Sequence, residues 1–193
     1  MTAKGFDPLP PGLALALLGI GALGFTLVSL GADNVSYARA EWTARLALVL
    51  AIPAIVIYAL PGPLGPWWRA FWTAAMLAYL MHFWWAVARV FHNDIGVIWD
   101  RQGFVAVTNA VLTLLWIADA VVAWTMAQQT ALWVLVLRFF TWAIVTVSFF
   151  LASAVFRDEM LPRVLGGVLA IAVVSALLSR KLAQPKLSRP AAP

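Results

Sequence analysis

The chain has 193 residues, 64% of them hydrophobic and 11% charged, with a formal net charge of +5; a soluble domain is about half apolar and about a quarter charged. So little polar surface excludes a water-soluble globule, and the expected fold is all-α: a polytopic integral membrane helical bundle of about six transmembrane helices. The absence of cysteine excludes disulfide scaffolds, thiolate metal sites, iron–sulfur clusters and cysteine nucleophiles, and with only two histidines a multi-histidine iron site is impossible.

A Pro-rich head occupies residues 1–11, a single transmembrane domain residues 12–180, and a basic, Pro-containing tail residues 181–193. A hydrocarbon core needs about 20 apolar residues per helix. Windows of that kind fall at 12–30, 44–60, 67–91, 104–127, 131–156 and 164–178, the last being the shortest. The first begins after Pro8, Pro10 and Pro11, and it is too long for a signal-peptide core. Its Gly19, Gly21 and Gly24 suit close helix approach. The second is expected to break at Pro53 and ends at Pro61-Gly62-Pro63. The apolar runs are continuous and not alternating, which excludes a membrane β-barrel.

Of the 11 tryptophans, Trp42, Trp67, Trp68, Trp99, Trp124 and Trp133 fall near span ends, where indole rings favour the headgroup level. Trp84, Trp85, Trp116 and Trp142 lie deeper and are expected to fill helix contacts.

Polar residues concentrate in the third, fourth and fifth spans, so these are expected to hold a polar interior inside a lipid-facing frame of the other three. On the third, Tyr79, His82, Arg89 and His92 keep to one broad face; on the fourth, Asn109, Thr113, Trp116 and Asp119 do. The fifth carries Arg138, Thr141 and Ser148. A tight link around Gln128-Gln129-Thr130 makes the fourth and fifth spans antiparallel neighbours. At about 1.5 Å per residue, Asp119 and Arg138 then stand at one depth, roughly 14 Å from the turn. A lone charge there costs at least ~2.5 kcal/mol, so an Asp119–Arg138 ion pair is expected, chiefly as a structural lock.

His82, Arg89, Asn109 and Trp116 form the candidate cofactor or ligand set, with haem or a quinone as the chemistry that a deep imidazole beside a cation suggests. Within one chain His82 and His92 cannot straddle one iron, since ten residues of helix separate them by about 15 Å. Arg89, near its span end, is expected to snorkel towards headgroups. The loop after the third span places His92, Asp94 and Asp100 close in sequence, a weak hard-metal or copper set in a stretch better read as solvated loop.

No catalytic constellation is legible: there is no HExxH, no Gly-x-Ser-x-Gly and no phosphate loop, and the catalytic residues stay unknown. The leading expectation is a non-catalytic subunit, anchor or assembly factor of a larger membrane complex. The alternatives are a small transporter or channel component with a polar pathway between spans three to five, and a haem- or quinone-binding redox or lipid-modifying enzyme. Expected partners are the lipid bilayer and other membrane subunits or a second copy, not nucleic acid. Basic residues tie at six on each side of the membrane, and the tail cluster Arg180, Lys181, Lys186 and Arg189 decides for cytoplasmic termini in a bacterial-type inner membrane.

Overall fold

The computed structural model describes residues 7–126, 130–155 and 159–183. The first six residues, the 127–129 link, residues 156–158 and the tail from 184 lie outside that set. The expectations resting on Gln128, Gln129, Lys186 and Arg189 therefore lie outside the described residues. Within it the chain forms α1 (Leu9–Ser29), α2 (Val35–Ala59), α3 (Pro66–Trp84), α4 (Ile95–Gln102), α5 (Phe104–Thr125), α6 (Leu132–Phe150) and α7 (Met160–Leu182), with no strand. A π-helical turn, Trp85–Val90, prolongs α3, and another, Leu151–Val155, prolongs α6. All but α4 are long and apolar enough to cross a bilayer. Six crossings place the start of α1 and the end of α7 at one face, here the proximal face; the opposite face is distal.

Local chemistry sets the helix starts. Asn34 caps α2 by accepting the Tyr37 amide at 3.0 Å, and Asp94 caps α4 by accepting the Val97 amide at 3.0 Å. Pro66 stands at the first turn of α3, where its missing N–H costs nothing. Two departures from the sequence reading follow. The stretch after α3 is partly helical: His92 and Asn93 take left-handed φ values of 53° and 59°, which swing the chain into the eight-residue α4. And α2 neither starts at residue 44 nor breaks at Pro53; it runs from Val35 through Pro53 to Ala59. An apolar window stops at Arg39, Glu41 and Arg45, but charge does not stop a helix whose charged end has partners.

The expected frame-and-interior arrangement is corrected. The most enclosed helices are α2 and α3, each with 44% of its best apolar window buried, against 17% for α1 and 28% for α5 and α6. α2 packs chiefly on α3 and also meets α1, α6 and α7. Ala47, Ala51 and Ala54 of α2 share one buried core with Ala70, Ala74, Ala75 and Ala78 of α3. In a bilayer, lipid is as apolar as leucine, so small residues that let backbones approach decide which helices go inside, not how few polar residues they hold.

At the distal end, α6 and α7 approach closely at Gly166. A Cβ built there would stand 2.6 Å from Ser153 Oγ, 2.8 Å from Ala154 Cβ and 2.9 Å from the Ala154 amide nitrogen, whereas at Gly167 it would meet nothing within 4 Å. Gly166→Ala is therefore expected to lower the unfolding midpoint in mild detergent, losing about 1–3 kcal/mol to overpacking. Gly167→Ala should hold or raise it, gaining up to about 1 kcal/mol of helix propensity. Equal midpoints for the two variants would remove the close approach.

Candidate functional site: a closed indole and ion-pair centre

Asp119 lies six residues before the end of α5 and Arg138 six after the start of α6, so each is about 9 Å from the proximal end of its helix. Arg138 Nε stands 3.2 Å from Asp119 Oδ1, with the two side chains 2% and 0% exposed. The second carboxylate oxygen, Oδ2, accepts the indole N–H of Trp72 at 2.9 Å. The guanidinium carbon of Arg138 stands 4.6 Å from the Trp68 ring centroid. A carboxylate bonded on both oxygens and a cation laid on an indole face form the arrangement that a dry interior tolerates.

Rings continue from there towards the distal face. Trp68 and Trp72 stack at 5.8 Å, Trp72 meets Trp116 at 4.9 Å, Trp116 meets Tyr79 at 5.6 Å, and Phe149 closes edge-on against Trp116 at 6.0 Å. Trp142, one turn beyond Arg138 on α6, donates its indole N–H to the Ile55 carbonyl of α2 at 3.1 Å. Among the described residues, the buried Trp68 and Trp116 Nε1 atoms have no hydrogen-bond acceptor. Trp68, two residues from the start of α3, is buried and not turned to headgroups, and Trp84, expected in helix contacts, is instead 53% exposed. The difference is angular: α3 turns Trp68 and Trp72 onto its inward face and Trp84 onto the outward one.

Of the candidate set, His82 lies on α3, Arg89 on the π turn that prolongs it, and Asn109 and Trp116 on α5. Tyr79 stands between two of them, its ring 5.7 Å from His82 and 5.6 Å from Trp116. His82 Nδ1 lies 2.8 Å from the Ala40 carbonyl of α2, a backbone partner that no reading of spans three to five would supply. Asn109 is half-buried and its carbonyl accepts Thr113 Oγ1 at 2.7 Å, while Arg89 is exposed at the distal end. No three His, Asp or Glu among the described residues come together to hold a metal. In particular His92, Asp94 and Asp100 are all exposed, and the Asp94 carboxylate is engaged as the α4 cap.

A second polar cluster, at the distal end of α2, escaped the sequence reading. Arg45 pairs with Glu159, which precedes α7, and faces Glu41 at 3.9 Å one turn away. Its guanidinium carbon also lies 4.7 Å from the Trp42 ring centroid. Arg39 Nε donates to Ser29 Oγ of α1 at 3.1 Å, and its guanidinium carbon stands 4.9 Å from the centroid of Trp85. The Glu41–Arg45 spacing of four was a readable helix pair; Glu159, 114 residues from Arg45, carried no local signal.

No protein-family model matches the chain, and neither a curated protein nor a solved structure matches it.

Proposed function

We propose that the chain is a non-catalytic subunit, anchor or assembly factor of a larger membrane complex, seated in a bacterial-type inner membrane with both termini in the cytoplasm. The observation that carries this reading is the closed centre. Deep in the bundle Asp119, Arg138 and Trp72 bind one another, and rings fill the space beside them, with Asp119 0% exposed. A pathway for a solute needs polar groups that face a passage, and a redox site needs room for its cofactor. The outward surface supplies contact area in their place: Phe139, Phe140, Trp133 and Leu135 of α6 are all about half exposed. Its partners are the surrounding lipid and other membrane subunits or a second copy. The orientation rests on Arg180 and Lys181 at the end of α7 together with the tail.

The absence of native cysteine makes one set of variants sufficient. Phe140→Cys is expected to cross-link within native membranes into a species of defined stoichiometry, also seen by native mass spectrometry after mild solubilisation. For orientation, Asp100→Cys should react with an impermeant maleimide on intact spheroplasts, and Pro63→Cys only after lysis. A lone monomer under every mild extraction, with no cross-link in membranes, refutes the subunit reading. Solute flux in proteoliposomes that disappears in well-folded Asp119→Asn puts transport in its place.

A further inference from the structure

On the outward side of α3, Leu77, Leu80, Met81, Trp84 and Trp85 line an open apolar groove of about 530 Å³. These positions recur at steps of three and four, so the groove runs along the helix, and its eight-residue length amounts to about 12 Å. It occupies the distal half of a bilayer-crossing segment, Pro66–Val90. At its distal end the lining indole of Trp85 carries the Arg39 guanidinium, 4.9 Å from the ring centroid. Arg39 Nε is used by Ser29, and no hydrogen bond among the described residues engages either terminal nitrogen. The exposed Arg89 arises from the same π turn as Trp85, four residues on. No carboxylate among the described residues lies within ion-pair distance of Arg39 or Arg89, in contrast to Arg45 and Arg138.

The geometry points to a binding site for one anionic phospholipid, its phosphate held by Arg39 and Arg89 and an acyl chain laid in the α3 groove. Three features choose this occupant. The groove opens on the face that the bilayer covers, so an acyl chain is the molecule already there. Two arginines with no carboxylate partner among the described residues stand where the headgroup of that chain would lie, and a guanidinium set over an indole and anchored by its Nε bond leaves its two terminal nitrogens for a phosphate. The half-exposed Trp84 belongs at that same level, where indole rings favour the interface. Charge complementarity selects an anionic headgroup over a zwitterionic one, since a choline would place a third cation beside the two arginines.

The test compares phosphatidylglycerol with phosphatidylcholine of identical acyl chains, titrated into the whole protein in mild detergent and read by native mass spectrometry and by thermal midpoint. The wild type is expected to retain one phosphatidylglycerol per chain in clear preference to phosphatidylcholine. Arg39→Gln and Arg89→Gln should each weaken that preference about fivefold, while Arg39→Lys should keep part of it. Leu80→Trp, which fills the groove, should weaken both lipids, and inorganic phosphate should bind far less well than either. Equal affinity of the wild type for the two lipids overturns the proposal. So does an unchanged preference in Arg89→Gln, a variant that leaves the Ser29 bond intact, or phosphate binding as well as the lipid. Because the wild type and Arg89→Gln decide the matter, failure of Arg39→Gln to fold does not spare the proposal from test.

Discussion

Asp119→Ala is expected to destabilise the folded chain by about 3–5 kcal/mol, the cost of leaving one member of a buried ion pair without the other. Arg138 is 2% exposed and lies under Trp68 with about 9 Å of helix between it and the proximal end. Without the carboxylate its charge stays in a site that water does not reach. Arg138→Ala should cost a similar amount for the mirror reason. Asp119→Asn should cost less, since an amide oxygen still accepts the Trp72 N–H at the position of Oδ2. The double variant Asp119→Leu, Arg138→Met should recover most of the loss, because neither charge then remains to be buried. Reversible unfolding in mixed micelles, read for these variants and for Asp119→Leu and Arg138→Met singly, gives the coupling between the two side chains. A wild-type midpoint for Asp119→Ala refutes the lock, and a double variant no better than the singles assigns the loss to packing.

The readable parts of this molecule and the unreadable parts differ in range. Hydropathy identifies six crossing helices because a bilayer imposes a length of about 20 apolar residues on each. The depth of Asp119 and Arg138 follows from counting residues on either side of one short link, a local inference. Lateral arrangement is another matter. Few polar residues in its apolar stretch make α2 read as frame, yet Ala47, Ala51 and Ala54 make it the most enclosed helix together with α3. Hydropathy measures partition between water and lipid, whereas position within the bundle depends on how closely backbones can approach. His82 shows the same limit: its Ala40 partner is a carbonyl 42 residues away, and carbonyls leave no mark on a residue pattern. The π turns after Trp84 and Phe150 have no sequence signature either, although one aims Arg89 and the other receives Gly166.

The two ends of the bundle are held by different means. Near the proximal face, Asp119, Arg138, Trp68 and Trp72 are buried, and removing Asp119, Arg138 or Trp72 takes a hydrogen-bond partner from a buried polar group. At the distal end, the Glu159 partner of Arg45 is 51% exposed in its side chain, so water screens that bond and its contribution is at most about 1 kcal/mol. The distal end is also where both π turns and the arginines of the proposed lipid site lie.

Trp72 provides the second large expected effect, and its two truncations separate two causes. The residue is 0% exposed, donates to Asp119 Oδ2 at 2.9 Å, and stacks between Trp68 and Trp116. Trp72→Phe keeps a ring in the stack but removes the donor, and a hydrogen bond to a charged acceptor is worth about 1.5–3 kcal/mol. Trp72→Ala removes the ring as well. In soluble cores such truncations cost about 3–5 kcal/mol. Part of that figure is transfer from water, which helices moving between protein and lipid do not undergo, so here the added loss comes from the cavity between α3, α5 and α6 and the ring contacts that vanish with it. The expected order of midpoints is wild type, then Trp72→Phe, then Trp72→Ala. In the Asp119→Leu, Arg138→Met background the Phe substitution should become nearly neutral, since the indole N–H there has no carboxylate to lose. A Trp72→Phe cost that persists undiminished in that background means the indole acts by shape alone, and the carboxylate is then held by Arg138 without help from α3.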